Sequence, residues 1–191
     1  NTRDVTERAQ AERSLAEAKG RLEAIQEAAS DAIYLMNADG IIVSLNSRAA
    51  TMMGRAREEV VGRHFNDFSP ADFKAERERQ FQRVIDGNTV RVRSTMHRPD
   101  GATVDFEATS YRVEWGGEQF CCSTVRDVSD ETRAQRRLAA QHAVTRVLAE
   151  ARTLAEATPL IVKAICESLE WEAGAVWSVA RPADVLRCAE F

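Results

Sequence analysis

The pattern of hydrophobic and polar positions is helical at both ends of the chain and mixed in the middle. Before residue 30, apolar residues recur at spacings of three and four, as at the a and d positions of a coiled coil. These positions are Leu15, Ala18, Leu22 and Ile25. Beyond residue 129, a second polar helix repeats the spacing at Leu138, Gln141, Thr145 and Leu148. Two flanking helices with short seams are predicted; pairing in a dimer is the favoured interpretation, and packing of each helix on its own domain is the alternative.

The middle segment predicts strands and short helices. Apolar runs at 32–36 and 41–45 predict two strands joined by a hairpin turn at 37–40. After short helical turns, Ser69-Pro70 begins a longer helix that ends before Gly87. Its predicted inward stripe is Phe73, Arg77, Phe81, Val84 and Ile85. Three further runs predict strands at 89–97, 103–114 and 119–127. The simplest arrangement that buries these stripes is an α+β domain, a five-stranded antiparallel sheet with helices on one face.

A four-residue motif occurs twice. Arg3-Asp4-Val5-Thr6 returns 123 residues later as Arg126-Asp127-Val128-Ser129. In each copy an Asp-Val pair closes a strand, and the following hydroxyl residue is suited to cap a helix. The sequence therefore predicts the same strand-to-helix junction at two places, with Asp127, Val128 and Ser129 in one copy and Asp4 and Thr6 in the other.

The order of these elements and several local motifs resemble a PAS domain. The motifs are the Asp39-Gly40 turn, Asn46 opening a helix, Gly62 before Phe65, Arg98-Pro99-Asp100-Gly101 between later strands, and Asp127-Val128-Ser129 at the end. The resemblance covers about half of the chain and implies a sensor or relay domain. In that family the junction aspartate pairs with a nearby arginine and couples the last strand to an output helix. Asp127 and Ser129 inherit this role, with serine in place of the commoner threonine, and the copy at Asp4 and Thr6 implies another PAS domain upstream.

The end of the chain resembles the start of a GAF domain. Thr158-Pro159 is predicted to cap a helix that continues to Leu169. Glu170–Trp177 then enters a strand, and Val185–Cys188 suggests the next strand. The predicted organisation is a signalling helix over 1–29, a PAS domain over 30–128, a second signalling helix over 129–156 and a truncated GAF domain over 157–191. So short a segment cannot bury a GAF core, so no GAF ligand is inferred.

Composition narrows the class of protein. The chain is 44% hydrophobic and 29% charged, and its 26 basic residues are interleaved with 30 acidic ones, which argues against a nucleic-acid surface. No apolar run approaches the roughly 18 residues that span a bilayer. The four cysteines form no CxxC pair, which indicates a reducing compartment. A cytoplasmic location without membrane contact in this segment is expected.

No motif of catalysis or metal binding occurs in the sequence. The phosphate-binding, dinucleotide-binding, zinc-protease and nucleophile-elbow patterns are missing, so neither an enzyme nor a metal site is predicted within this chain. His142 lies on the second flanking helix. The residues after it lack the acidic residue and the proline of a histidine-kinase phosphoacceptor box, which makes a solvent-exposed histidine the better interpretation.

The resemblance places any PAS ligand between the sheet and the long helix. That helix, 70–87, has no histidine to bind haem iron, which leaves His64, His97 or a thiolate. The Asn-Cys-Arg-Phe core of the photoreactive flavin domains is replaced by Arg63-His64-Phe65-Asn66. Haem and photoreactive flavin are therefore disfavoured, and the cofactor stays unknown, with a small-molecule ligand and a filled core as open alternatives.

The candidate pocket-lining residues are Tyr34, Met36, Met52, Met53, Phe81, Met96, Cys121 and Cys122. Cys121 and Cys122 are adjacent on one strand, so at most one of them lines the pocket.

The function predicted from the sequence is that of a sensory or relay module. It belongs to a multidomain cytoplasmic signalling protein and passes a ligand- or conformation-dependent change through a dimeric helix to a downstream output. By resemblance that output is a histidine kinase of a two-component system. A diguanylate cyclase output and a ligand-free dimerisation scaffold are the alternatives.

Overall fold

A computed structural model of the chain describes residues 17–18, 20–21, 24–180 and 185–189. The chain divides into two compact units, one up to Val128 and the other from Ser129. Within the part of the chain described, no helix is long and apolar enough to cross a membrane.

A five-stranded antiparallel sheet forms the framework of the first unit. Its strands are β1 (Ala32–Asn37), β2 (Ile42–Leu45), β3 (Val90–His97), β4 (Thr103–Trp115) and β5 (Glu118–Asp127). They lie in the order β2-β1-β5-β4-β3, so the first and last strands are neighbours near the middle of the sheet. Each strand agrees with the predicted run to within one residue at either end. The α+β fold with five antiparallel strands is confirmed.

Helices cover one face of this sheet. They are α1 (Ser47–Met53), α2 (Arg57–Val60), two 3-10 turns (Phe65–Phe68 and Ala71–Phe73) and α3 (Lys74–Ile85). Strand residues alternate between two faces, and the inward set packs against α1 and α3. The buried core between the layers consists of Ala32, Met36, Ile42, Leu45, Ala49, Met52, Met53, Val60, Phe65, Phe81, Val84, Val90, Val104, Cys121 and Val125.

The long helix begins later than the sequence pattern predicts. Residues 71–73 form a 3-10 turn, and the α-helix starts at Lys74. A 3-10 turn has three residues per turn instead of 3.6, so the helical spacing used to place Phe73 on the inward stripe does not hold there. Phe73 is 56% exposed, whereas Phe81 and Val84 are buried. The prediction that Phe73 faces inward was wrong.

The predicted hairpin turn between β1 and β2 is held by Asn37. Its side-chain oxygen accepts hydrogen bonds from the backbone N–H groups of Asp39 (3.1 Å) and Ile41 (2.9 Å). Gly40 then adopts φ 77°, a left-handed conformation that favours glycine. A Cβ at this position would lie 2.5 Å from His64 Nε2 and 2.8 Å from a ring carbon of Phe65. The turn therefore packs directly on the residues that begin the first 3-10 turn.

Replacing Gly40 by alanine should destabilise the unit by about 2–3 kcal/mol, because the left-handed backbone costs about 1 kcal/mol and the clash adds to it. Gly101→Ala is the matched control: Gly101 has φ 83° but open space around its Cβ position. Urea unfolding of both variants separates backbone strain from the clash. Equal losses in the two variants would show that the packing on His64 and Phe65 is unimportant.

The second unit contains two helices and a hairpin. The helices are α4 (Ser129–Glu150) and α5 (Leu154–Leu169), and strands β6 (Val176–Ala180) and β7 (Val185–Ala189) pair antiparallel. The prediction that Thr158-Pro159 caps α5 was wrong, because Thr153 caps the helix by accepting a hydrogen bond from the Glu156 N–H. Ala140 on α4 and Ala157 on α5 are buried where the helices pack, and Arg136 forms an ion pair with Glu170 at 2.8 Å. Many other large apolar side chains of this unit are exposed: Leu154, Leu160, Trp171, Trp177, Val179, Val185 and Leu186.

Candidate functional site

Asn46 is a buried polar residue that ties three segments together. Its side-chain oxygen accepts hydrogen bonds from the backbone N–H groups of Ala49, at the start of α1, and Ile33, in β1, both at 3.0 Å. Its amide nitrogen donates to the carbonyls of Gln26 (2.9 Å) and Asp31 (3.0 Å). The residue is 2% exposed. Residues 24–28 are helical and lead into the domain; they are called the incoming helix below. Asn46 therefore links the end of the incoming helix to β1 and to α1.

A second set of polar contacts fixes the same incoming segment. The carboxylate of Glu27 accepts a hydrogen bond from the backbone N–H of Ser47 at 2.9 Å and forms an ion pair with Arg57 at 3.8 Å. The hydrogen bonds from Ser47 hold the pKa of Glu27 below its usual value. Arg57 also donates to the Leu45 carbonyl at 2.6 Å. The end of the incoming helix is thus attached to β2, α1 and α2.

An ion pair joins the incoming segment to β5, the strand by which the chain leaves the sheet. Arg126, the next-to-last residue of β5, donates through Nε and Nη2 to the two carboxylate oxygens of Asp31, both at 3.3 Å. Asp31 immediately precedes β1, whose first residue Ala32 pairs with Val125. The two ends of the domain are therefore connected by a bidentate salt bridge and by the adjoining hydrogen-bonded pairing of β1 with β5. No sequence pattern indicated a role for Asp31, although Arg126 lies inside the repeated motif.

The junction residues predicted from the repeat lie where β5 ends. Asp127 is the last residue of that strand, and Val128 is buried and donates its backbone N–H to the Asp105 carbonyl at 2.8 Å. Ser129 is the first residue of α4. Asp4 and Thr6 lie outside the described residues. The role of these five residues in signalling stays a prediction.

The seam positions of the second flanking helix are exposed. Leu138 and Leu148 are 53% and 55% exposed, and Gln141 and Thr145 between them are exposed as well. The same helix buries Ala140 on another face. His142 is exposed on this helix, as expected. Of the first seam, Ile25 is exposed, and Leu15 and Leu22 lie outside the described residues.

Most of the candidate pocket-lining residues lie in the core between sheet and helices. Met36, Met52, Met53, Phe81 and Cys121 are buried there, and Tyr34 and Met96 are partly buried against them. Cys122 is not in this core. It lies on the opposite face of β5, where its partner across the strands is Tyr111, as the alternation of adjacent residues requires. A hydrogen bond from the Tyr111 hydroxyl to the Cys122 sulfur favours the protonated phenol and raises the pKa of Tyr111 to about 12.

Cys121 is poorly suited to thiol chemistry. Burial raises the pKa of its thiol to about 11, a shift only partly offset by a hydrogen bond with Ser123. The thiolate is the reactive form, so this side chain stays protonated and unreactive near neutral pH. Among the described residues, no group of three histidine, cysteine or acidic side chains is arranged to hold a metal ion.

A polar cluster lies beside the core. Tyr34 was predicted to line the pocket and Arg77 to face inward, but no sequence motif indicated that Arg77 contacts Ser69 and Phe65. Arg77, on α3, donates from Nη1 to the hydroxyl of Ser69 at 2.6 Å, and its guanidinium lies 5.5 Å from the centre of the Phe65 ring. Tyr34, on β1, lies close enough to Arg77 for the charge of each group to affect the pKa of the other. The available signal was an arginine within an apolar inward stripe. The structure brings it to the border of the core.

Comparisons with known proteins agree with this architecture. A model of the PAS fold family matches residues 27–133. The PAS domain of an HTR-like protein from Haloarcula marismortui is 28% identical and covers 62% of this chain and 98% of its own, with a TM-score of 0.56. A domain of a sensory box sensor histidine kinase/response regulator from Geobacter sulfurreducens is 20% identical, covering 59% and 96%, with a TM-score of 0.51; at that identity it shows the fold alone.

A curated relative is much longer than this chain. The methyl sulfide methyltransferase-associated sensor of Methanosarcina acetivorans is 21% identical over 131 residues, which is 68% of this chain but 13% of that protein. The relative's whole activity therefore does not transfer to this chain. The family match takes in more than half of the sequence and coincides with the five-stranded sheet and its helices, so this chain belongs to the PAS fold family.

Proposed function

We propose that this chain is the relay module of a multidomain cytoplasmic signalling protein and passes a change in its PAS domain through a paired helix to a downstream output. PAS domains are sensory, non-catalytic modules of signalling proteins, and that part of the function follows from the family. The Asp31–Arg126 salt bridge carries the rest of the proposal, because it joins the incoming segment to the strand that leads into the outgoing helix.

Two features support a relay between the ends of the domain. Asn46 and Glu27 fix the end of the incoming helix to the interior of the domain, so a movement of that helix is transmitted to β1 and α1. β1 pairs with β5 along its whole length, from Ala32 opposite Val125 to Asn37 opposite Phe120. A displacement of β1 relative to β5 would therefore act on Arg126 and on the junction that follows it.

The exposed seam supports pairing of the outgoing helix with a second copy of the chain. Leu138 and Leu148 offer apolar surface at a and d spacing, and the polar Gln141 and Thr145 between them weaken the seam. A weak seam suits a switch, since two arrangements of the pair that differ by a few kcal/mol can both be populated.

On the face of the sheet opposite the helices, an apolar groove lined by Leu35, Val43, Trp115 and Phe120 offers further contact area for the same dimer.

A downstream GAF domain and a histidine kinase complete the proposal. The exposed apolar side chains of α5, β6 and β7 need further chain to cover them, which supports residues from 157 onward as the first part of a GAF domain. A histidine kinase is the favoured output, because a domain with this fold occurs in a sensor histidine kinase/response regulator.

Site-specific cross-linking tests the relay. In a background with the four native cysteines replaced by alanine, Leu138→Cys and Leu148→Cys should form disulfide-linked dimers faster than Arg137→Cys, which lies outside the seam. An exposed ion pair contributes up to about 1 kcal/mol, so Asp31→Arg should change the ratio of the two seam cross-linking rates by roughly two- to fivefold. Arg126→Asp added to Asp31→Arg restores the opposite charges and should return the ratio towards its original value.

The matched control is another exposed arginine–carboxylate pair on the same sheet. Arg112 and Glu114 form an ion pair at 3.4 Å on β4, at the end of that strand away from Arg126. Glu114→Arg should leave the seam cross-linking ratio unchanged. A ratio that is insensitive to Asp31→Arg, or a chain that stays monomeric and does not cross-link at the seam, would refute the relay.

A further inference from the structure

Glu170 follows the last residue of α5 in a backbone conformation that disfavours a side chain. Its φ of 56° and ψ of 41° lie in the left-handed region. Seven other described residues have a positive φ, and all seven are glycine. A Cβ is unfavourable in this region because it crowds the following carbonyl oxygen, and glycine is the usual residue at such a helix end. A glutamate here therefore carries backbone strain that a glycine would not.

The carboxylate of Glu170 contacts the preceding helix. Its Oε2 lies 2.8 Å from Nη2 of Arg136, on α4. Two other ion pairs join described residues of the second unit, and each lies within a single helix: Arg133 with Asp130, and Lys163 with Glu167. Of the ion pairs between described residues of this unit, the one at Glu170 is thus the one that connects two elements.

Arg136 lies on the face of α4 that packs against α5. An α-helix turns by about 100° per residue, so Arg136 points about 200° around the helix axis from the seam residue Leu138. Ala140 lies about one turn after Arg136 on the same face, and it is buried where the two helices pack. α4 therefore presents its exposed seam on one side and Arg136 on the other.

The conformation of Glu170 sets the path of the chain that follows it. The backbone N–H of Trp171 donates to the Cys166 carbonyl at 2.9 Å and closes the end of the helix. The chain then returns to α5 at Gly174, where a Cβ would lie 2.6 Å from Cγ1 of Val162 and 2.8 Å from Sγ of Cys166. Strand β6 begins two residues later. The left-handed residue thus turns the chain from the end of α5 back onto that helix and into β6.

We infer that Arg136 is a positioning residue whose ion pair holds Glu170 in the left-handed conformation, so that the turn from α5 into β6 depends on the position of α4. A glycine would make the same turn wherever α4 lay, because glycine adopts this conformation without a partner. The role in signalling rests on the proposed relay, since a rotation of α4 that rearranged its seam would carry Arg136 away from Glu170. The contact itself stands on the geometry of the second unit.

Amide hydrogen exchange of the whole chain, read by NMR, tests this contact. The Trp171 amide is the reporter, because its hydrogen bond to Cys166 opens when Glu170 leaves the left-handed region. Arg136→Gln and Glu170→Gln should each lower the protection factor of this amide by about two- to fivefold, the effect of losing an exposed ion pair. Glu170→Gly loses the ion pair and the strain together. It should keep the amide at least about twofold better protected than Glu170→Gln does.

Arg133→Gln is the matched control, because the ion pair of Arg133 with Asp130 stays within α4. It should leave the protection of the Trp171 amide unchanged. The Ala157 amide, which donates to the Thr153 carbonyl at 3.0 Å at the other end of α5, should be unchanged in every variant. Equal losses of protection at Ala157 and Trp171 would show that the whole unit is destabilised and would overturn the inference.

Two further outcomes would also overturn it. One is a Trp171 amide that does not respond to Arg136→Gln. The other is an amide that is no better protected in Glu170→Gly than in Glu170→Gln. In the Glu170→Gly background, Arg136→Gln should have no effect, and an equal loss there would mean that Arg136 acts through some other contact. Amide exchange requires no dimer, whereas the relay is read from cross-linking at the seam, so the two proposals can fail independently.

Discussion

Phe81→Ala is expected to lower the free energy of unfolding of the PAS unit by about 4 kcal/mol. Phe81 is 6% exposed and packs on Phe65, so its removal loses a large apolar side chain and leaves a cavity that α3 and the sheet cannot close. Urea denaturation gives the value. With Trp171→Phe and Trp177→Phe in the background, Trp115 is the single tryptophan and reports unfolding of this unit alone.

Phe73→Ala is the control for Phe81→Ala. It removes the same number of atoms eight positions earlier, but from a side chain that is more than half exposed, so a loss below about 1 kcal/mol is expected. The pair also tests the register of α3. Comparable losses in the two variants would mean that Phe73 is buried and that the helical stripe extends back to Pro70 after all.

Asn46→Ala is expected to cost about 3 kcal/mol, the second-largest effect. Loss of the helix cap on α1 accounts for about 1 kcal/mol. The rest arises because the N–H of Ile33 and the carbonyls of Gln26 and Asp31 lose their side-chain partner, at about 1 kcal/mol or more for each group that stays buried. The same urea titration, read by Trp115, measures it.

Two further variants separate the parts of this network. Asn88→Ala is the control, since Asn88 is exposed and its side chain makes a single hydrogen bond, to the Arg83 carbonyl; a change below about 1 kcal/mol is expected. Asn46→Asp keeps the accepting oxygen for Ala49 and Ile33 but loses both donors to the incoming segment. If Asn46→Asp is as stable as the original chain, Asn46 acts as a helix cap and does not hold the incoming helix.

The sheet was predictable from the sequence because local signals agreed with one another. Each strand is bounded by a strong turn, such as Asn37–Gly40 or Gly116-Gly117, and alternation within the strands set the face of each residue. The same rule separated Cys121 from Cys122. The predicted start of the long helix was wrong because Pro70 is compatible with the first turn of either an α-helix or a 3-10 helix. Only packing distinguishes the two.

The site was harder to predict because its residues meet across long stretches of sequence. Asn46 was recognised as a helix cap, which is a local role, but its bonds to Gln26 and Asp31 depend on the path of the incoming helix. Asp31 and Arg126 are 95 residues apart, and an aspartate before a strand carries no signal of its partner. Arg77 was predicted on the inward stripe, but the residue is exposed, and the contacts of its guanidinium with Ser69 and Phe65 are a property of the folded domain.

The pairing of β1 with β5 also affects how readily a chain of this kind gains or loses a whole domain. Adjacent strands are about 4.8 Å apart, so Ala32 and Val125, which are paired, leave the sheet side by side although 93 positions separate them. Excising the intervening segment would open a gap that a residue or two could bridge, and inserting another such segment would disturb the surrounding chain just as little. Tandem duplication of the Arg-Asp-Val motif with its domain is therefore geometrically easy, which is compatible with a sequence that repeats this motif 123 residues later.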